Sequence, residues 1–286
     1  MNTITQTQEH HLTPEEKWEQ ATLANNFIFY KVMRHHPDAC KHLIEMLLNI
    51  KIERMEMHNE EVIDLDHDAK GIRLDVFVKD TNKMYDIEIQ AANTSDLPER
   101  SRYYQALMDL DTLKEGQKYK NMKDSHVIFI CLEDIFKTGL PVYTFEYTCK
   151  EDGKTKLNDR TLKHFFIAKT CAKIIKNEEV RCFFEFLISN KASNEFTSNL
   201  DKYVTDAKHN MQWRVQYMTF ARMQTYAREE GIAIGEKRGE QRGKQEKAIE
   251  AAKALLKMNV LTIEQIAQAS GLSIDEVKQL AEEETV

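Results

Sequence analysis

Glycine and proline are scarce, at 9 and 4 among 286 residues. So few breakers exclude a collagen-like chain, argue against a many-turned all-β sandwich and leave room for long helices. Cysteine is thin too. Cys40, Cys131, Cys149, Cys171 and Cys182 are scattered and never form a Cys-x-x-Cys pair. They supply neither a disulfide framework nor a structural zinc site, and they fit a cytoplasmic compartment. The longest apolar runs, Val127 to Leu132 and Phe183 to Ile188, fall far short of the roughly 20 residues that span a bilayer. Residues 1–11 lack the basic and apolar regions of a signal peptide, so a cytoplasmic chain without a membrane partner is expected. Positive charge is not in excess either, with 40 Lys and Arg against 47 Asp and Glu and a net charge of −7. Coating of nucleic acid by bulk charge is therefore excluded, and any DNA contact must come from a local patch. The chain does have 42% hydrophobic residues, enough core for one large domain or a domain with an appendage.

Along the chain, residues 14–49 read as helix broken near Pro37, with Asp38 a cap for a second helix from Ala39 to Leu48. Ile50 to Ile63 carries a strand pattern. Ile72 to Val78 and Met84 to Ala91 alternate, and the turn-forming Asp80-Thr81-Asn82-Lys83 between them predicts a hairpin. Ser95 to Glu115 reads as helix with Pro98 in its first turn. His126 to Leu132 and Val142 to Cys149 read as strands, and from about Glu178 the pattern is helical. The layout is α/β, with an α-helical C-terminal extension.

An even-length hairpin loop pairs Lys79 with Met84, Phe77 with Asp86, Asp75 with Glu88, and Arg73 with Gln90. One face then carries Ile72, Leu74, Val76 and Val78 beside Tyr85, Ile87, Ile89 and Ala91, and is core. The other collects Arg73, Asp75, Phe77 and Lys79 beside Asp86, Glu88 and Gln90. Carboxylates opposite one another destabilise a sheet unless a cation lies between them. Mg²⁺ suits the position, since it takes one or two carboxylates and leaves the rest to water and phosphate, and the Ile89 carbonyl offers a third oxygen. The other reading is a solvated polar face on which Arg73 and Lys79 neutralise the pair.

Gly71-Ile-Arg-Leu-Asp-Val-Phe-Val-Lys-Asp, then Tyr85-Asp-Ile-Glu-Ile-Gln, then Leu97-Pro-Glu-Arg-Ser-Arg-Tyr-Tyr, resembles the Rpn family of recombination-promoting nucleases and transposase-like proteins. That family is similar to the PD-(D/E)XK nuclease superfamily. The resemblance implies a restriction-endonuclease-like core, a mixed sheet flanked by helices, that hydrolyses DNA phosphodiesters and is linked to recombination or transposition. It implies Asp75 and Glu88 as metal ligands, for Mg²⁺ with Mn²⁺ or Ca²⁺ as alternatives, and Gln90 at the position of the superfamily lysine. Gln90 would place the attacking water but brings no charge. Arg73, across the ladder, is the first candidate to supply that charge and Arg102 the second. Arg100, Arg102 and Tyr104, on or near the following helix, are the candidate DNA contacts. Tyr103 reads as core packing, Lys114 to Lys123 as a basic loop, and Glu45 as a distant candidate for a further carboxylate. The alternative function is a catalytically weak DNA-binding or protein-interaction scaffold that keeps the fold.

Gly231, Gly235, Gly239 and Gly243 recur every four residues, the spacing of a narrow stripe for helix contact, so self-association into a homo-oligomer or a linker helix is expected. Leu261 to Leu280 looks like a helix-turn-helix with a core of Ile263, Ile266, Ala267, Leu272, Val277 and Leu280, a turn at Gly271 and Ser273 as cap. Asp275 and Glu276 open its second helix. From Glu229 onward 8 Lys and Arg stand against 12 Asp and Glu, which favours a protein contact over a DNA reader. The expected division is a nuclease domain over 1–228 and the helical extension over 229–286.

Overall fold

The computed structural model describes residues 12–57, 76–91, 94–113 and 116–283. Thr13 and Glu16 form a capping box that starts α1 (Pro14–Glu19). Asn25 accepts from the backbone N–H groups of Phe27 and Ile28 and starts α2 (Asn26–His35), so the N-terminal helical stretch breaks once more than its sequence suggests. Proline then separates α2 from α3 (Pro37–Leu48). It sits in the first turn of α3, while Asp38 lies inside that turn, facing the helix dipole, and does not cap it.

β1 (Glu56–Met57), β2 (Val76–Lys79) and β3 (Lys83–Gln90) are antiparallel neighbours. The hairpin register is the expected one, with Phe77 opposite Asp86 and Lys79 opposite Met84. Asp80 N–H donates to the Lys83 carbonyl at 2.9 Å, closing a loop of Thr81 and Asn82. The Asp80 carboxylate accepts from the N–H groups of Arg54 and Thr81. α4 (Leu97–Thr112) follows, with Pro98 in its first turn, and leads to β4 (Asp124–Cys131), β5 (Val142–Phe145) and β6 (Thr161–Ile167). The sheet runs β1-β2-β3-β4-β6-β5, with β4 parallel to both β3 and β6. Its helices flank both faces, the mixed architecture that was expected. β6 has no clear strand signature because Lys163 and His164 interrupt its apolar pattern.

One sheet face holds Met84, Val127, Phe129, Cys131, Phe165 and Ile167, packed against Leu97, Tyr104 and Met108 of α4. The solvated face read for Glu88 is thereby corrected, and with it the setting of its neighbour Asp86. Asp86 and Glu88 lie on this covered face, 0% and 3% exposed, because α4 folds back over the strand it follows. Lys79 pairs with Asp111 at the far end of α4.

The opposite face carries His126, His164 and Phe166. His126 Nδ1 lies 3.1 Å from His164 Nε2, and Phe166 stacks on Phe184 of α6 (Glu178–Ser189). α5 (Ala168–Ile174) and α7 (Glu195–His209) complete this part of the chain.

The chain divides after Tyr217, inside the long α8 (Met211–Met258). The second unit has its own small core, in which Ala252 joins Ile266, Ala267, Leu272 and Val277, with Ile263 and Leu280 beside them. α9 (Ile263–Ser270) ends at Gly271, whose φ of +77° is the left-handed cap that glycine adopts without strain. α10 (Ile274–Glu283) starts on a reciprocal pair between Ser273 and Glu276. A Cβ placed on Gly231, Gly235, Gly239 or Gly243 would meet no atom within 4 Å. Among the described residues no helix is long and apolar enough to cross a membrane.

Burial pushes His126 and His164 down to about 4, from an ordinary 6.5, with Lys83 adding to the effect on His126 and His126 to that on His164. Between those pH values the unfolded chain binds protons that the folded one refuses, so stability falls as pH drops from 6.5 to 4, by up to about 1.4 kcal/mol per pH unit for each histidine. In urea melts across that window, replacing both with Gln is expected to flatten the slope. An unchanged slope would clear the pair of responsibility.

Candidate active site

β3 is central, so its alternation decides what lies under α4. Met84 packs beneath α4, which puts Asp86, Glu88 and Gln90 on the same side. Register carries this row across the sheet, pairing Glu88 with Phe129 and Gln90 with Cys131. Burial pushes the Cys131 thiol up to about 12, so it stays protonated beside Gln90.

Arg100 comes down from the first turn of α4 onto this row. Its Nη1 donates to Gln90 Oε1 at 2.9 Å, and its Nη2 donates to Tyr104 Oη at 2.9 Å and reaches Glu88 Oε2 at 3.5 Å. The i to i+4 spacing puts Tyr104 on the same helical stripe, and its ring stacks on Phe129 with centroids 6.0 Å apart. The guanidinium lies over both rings, 5.5 Å from the centroid of Tyr104 and 5.7 Å from that of Phe129. Burial works against the charge of Arg100. The Tyr104 hydrogen bond and the charges of Glu88 and Asp96 outweigh burial and hold its pKa above the ordinary arginine value. Burial and the Glu88 charge push the Tyr104 phenol up, so it keeps its proton. The result is a fixed, permanent cation in a half-buried notch beside a carboxylate and an amide.

Of the residues singled out from the sequence, the fold brings together Glu88, Gln90, Arg100 and Tyr104. Arg102 is exposed and lines a neighbouring cleft. It is Arg100, two residues earlier, whose guanidinium meets Gln90. Tyr104, expected at a DNA surface, is 4% exposed and braces Arg100 from inside the wall. Tyr103 is half-buried against the core. Glu45 accepts from the Ile52 N–H at 2.8 Å and from Lys51, which commits it to the turn after α3. Asp75 and Arg73 lie outside the described residues. Asp86 was passed over at the sequence level. Its i to i+2 spacing puts it on the face of Glu88, as the alternation predicts, and its complete burial makes it a second covered carboxylate there.

The described donors on this face are hard oxygens, the Asp86 and Glu88 carboxylates and the Gln90 amide, and hard oxygens fit a Mg²⁺-like cation. Among the described residues no three His, Cys, Asp or Glu side chains gather closely enough to hold a metal by themselves.

Removing the guanidinium takes a charged partner from three groups at once. Arg100→Met is expected to lower stability by about 1–3 kcal/mol in urea denaturation. Arg100→Lys keeps the charge without the fork and should lose less. Equal losses would point to packing on Phe129 as the main contribution.

A family model described as PD-(D/E)XK nuclease family transposase matches residues 28–231, a span that begins in α2 and takes in the whole sheet. No curated protein and no solved structure matches the chain. The mixed sheet between helices agrees with the restriction-endonuclease-like fold of that superfamily, whose nucleases generally use divalent metals. More than half of the chain is matched, and the chain belongs to the PD-(D/E)XK nuclease family transposases.

Proposed function

We propose that the chain is a metal-dependent DNA endonuclease that hydrolyses phosphodiester bonds and acts in recombination or transposition. The observation that supports this most directly is the grouping of Glu88, Gln90 and Arg100 on one covered face of β3. Asp75 immediately precedes Val76, whose ladder partner is Ile87. The alternation of the hairpin sequence predicts Asp75 opposite Glu88, and these two carboxylates are the proposed metal ligands.

Mg²⁺ is the proposed ion, and when bound it stabilises charge on the phosphate and lowers the pKa of its water. Gln90 holds the attacking water with its amide. Arg100 supplies the positive charge that glutamine lacks at this position, aimed at a non-bridging phosphate oxygen. Its network with Tyr104 and Gln90 sets the guanidinium in place before substrate arrives, so little reorganisation is needed. Arg73 is the second candidate for that charge.

Purified protein is expected to nick supercoiled plasmid with Mg²⁺ or Mn²⁺ and to stop in EDTA. Asp75→Ala and Glu88→Ala should each abolish nicking. Arg100→Ala should lower the rate by about 10²-fold or more, the scale of one lost transition-state donor. Adding Gln90→Lys to Arg100→Ala should restore part of it by returning a cation to the strand. If DNA is bound but never cut under any metal, the scaffold reading replaces the nuclease.

A further inference from the structure

On the same sheet face, two strands from Glu88, a second hollow opens between α4 and β6. Register places it: Glu88 pairs with Phe129, and Phe129 with Phe165, which is 2% exposed and forms the floor. At about 4.8 Å between strands, floor and carboxylate stand about 10 Å apart, roughly three base steps of a B-form strand. The cleft measures about 330 Å³. Its walls are aromatic. Phe136 meets Phe165 edge-on at 5.1 Å and 90°, and Phe145 does so at 5.8 Å and 83°. Phe145 and Tyr147 are 44% and 52% exposed at the mouth.

Charge at the rim has one sign to spare. Glu146 is paired with Lys156. Lys163 lies over the Tyr147 ring, 5.4 Å from its centroid, with Asp109 and Asp159 offsetting its charge. Arg102 is exposed and makes no ion pair among the described residues. An apolar box with aromatic walls, edged by an uncommitted guanidinium, suits a flat heteroaromatic ring carried on an anionic chain.

We infer that this cleft receives one unstacked nucleobase of the DNA strand, with Arg102 on the adjoining phosphate. The inference rests on the nuclease reading for its substrate class and adds a binding site to it. Holding one base out of the stack fixes the strand's register about three base steps from Glu88 and Gln90. It also favours sites where a base is already unpaired, since the cost of unstacking is then lower.

The test compares two fluorescein-labelled duplexes, one fully paired and one with a single unpaired base, by anisotropy in EDTA so that neither is cut. Wild-type protein is expected to bind the second about tenfold more tightly, the scale of one base–aromatic stack. Phe145→Ala with Tyr147→Ala, both at the exposed mouth, should erase the preference, with the loss of affinity falling mainly on the duplex that carries the unpaired base. Tyr147→Ala alone should reduce it, and Tyr147→Phe should keep it. A wild-type protein that binds both duplexes equally, or a preference that survives the double substitution, overturns the cleft while leaving the nuclease reading intact. Failure to bind either duplex overturns the cleft, while nicking with Mg²⁺ decides the nuclease reading separately.

Discussion

A carboxylate on the central strand of a sheet, covered on both faces, cannot stay charged without compensation, and Arg100 provides it for Glu88. The consequences spread outward. The guanidinium must come from an element that crosses the strand, so α4 is anchored over β3 by a polar contact as well as by the packing of Leu97, Tyr104 and Met108. Gln90 must present its oxygen to the same cation, which fixes the rotamer of that amide. Tyr104 must keep its proton and its stacking on Phe129, or the fork loses its support. The site is pre-set because each member is held by another whose burial leaves it few alternatives.

The aromatic row gives this face a further property. Tyr104 stacks on Phe129 and Phe129 on Phe165, with interplanar angles of 16° and 8°. The rings form a rigid apolar floor that runs from the carboxylate toward the β6–β5 edge. Polar chemistry sits at one end of this floor and the open cleft at the other. Parallel pairing of β3, β4 and β6 lines the rings up, since it keeps matched positions on one face without a stagger.

The second unit obeys different rules. Its core consists of small and branched residues from three helices, closed by Gly271 and the Ser273–Glu276 pair. The glycines of α8 lie in the same unit, and a Cβ placed on any of them would meet no atom within 4 Å. Their regular spacing therefore has no explanation in the packing of that unit.

How much could be read in the sequence depended on whether the signal was local. The hairpin register followed from the Thr81-Asn82 turn and the alternation on either side, both local properties. The β4 strand followed from its unbroken apolar run, and the α9–α10 core from helical spacing. β6 was hidden because two of its seven residues are basic types that only a finished sheet neutralises or buries. The pairing of Arg100 with Gln90 was equally hidden. Arg100 and Arg102 look alike in the sequence, and a shift of two helical positions turns a side chain by about 200°. The sequence by itself determined most of the elements, the face on which Glu88 and Gln90 stand and the family to which the chain belongs. Only the tertiary structure decided that this face is buried, which arginine meets it and that Tyr104 supports it from within. Those outcomes depend on how α4 is rotated over the sheet, and that rotation is set by contacts between residues distant in the chain.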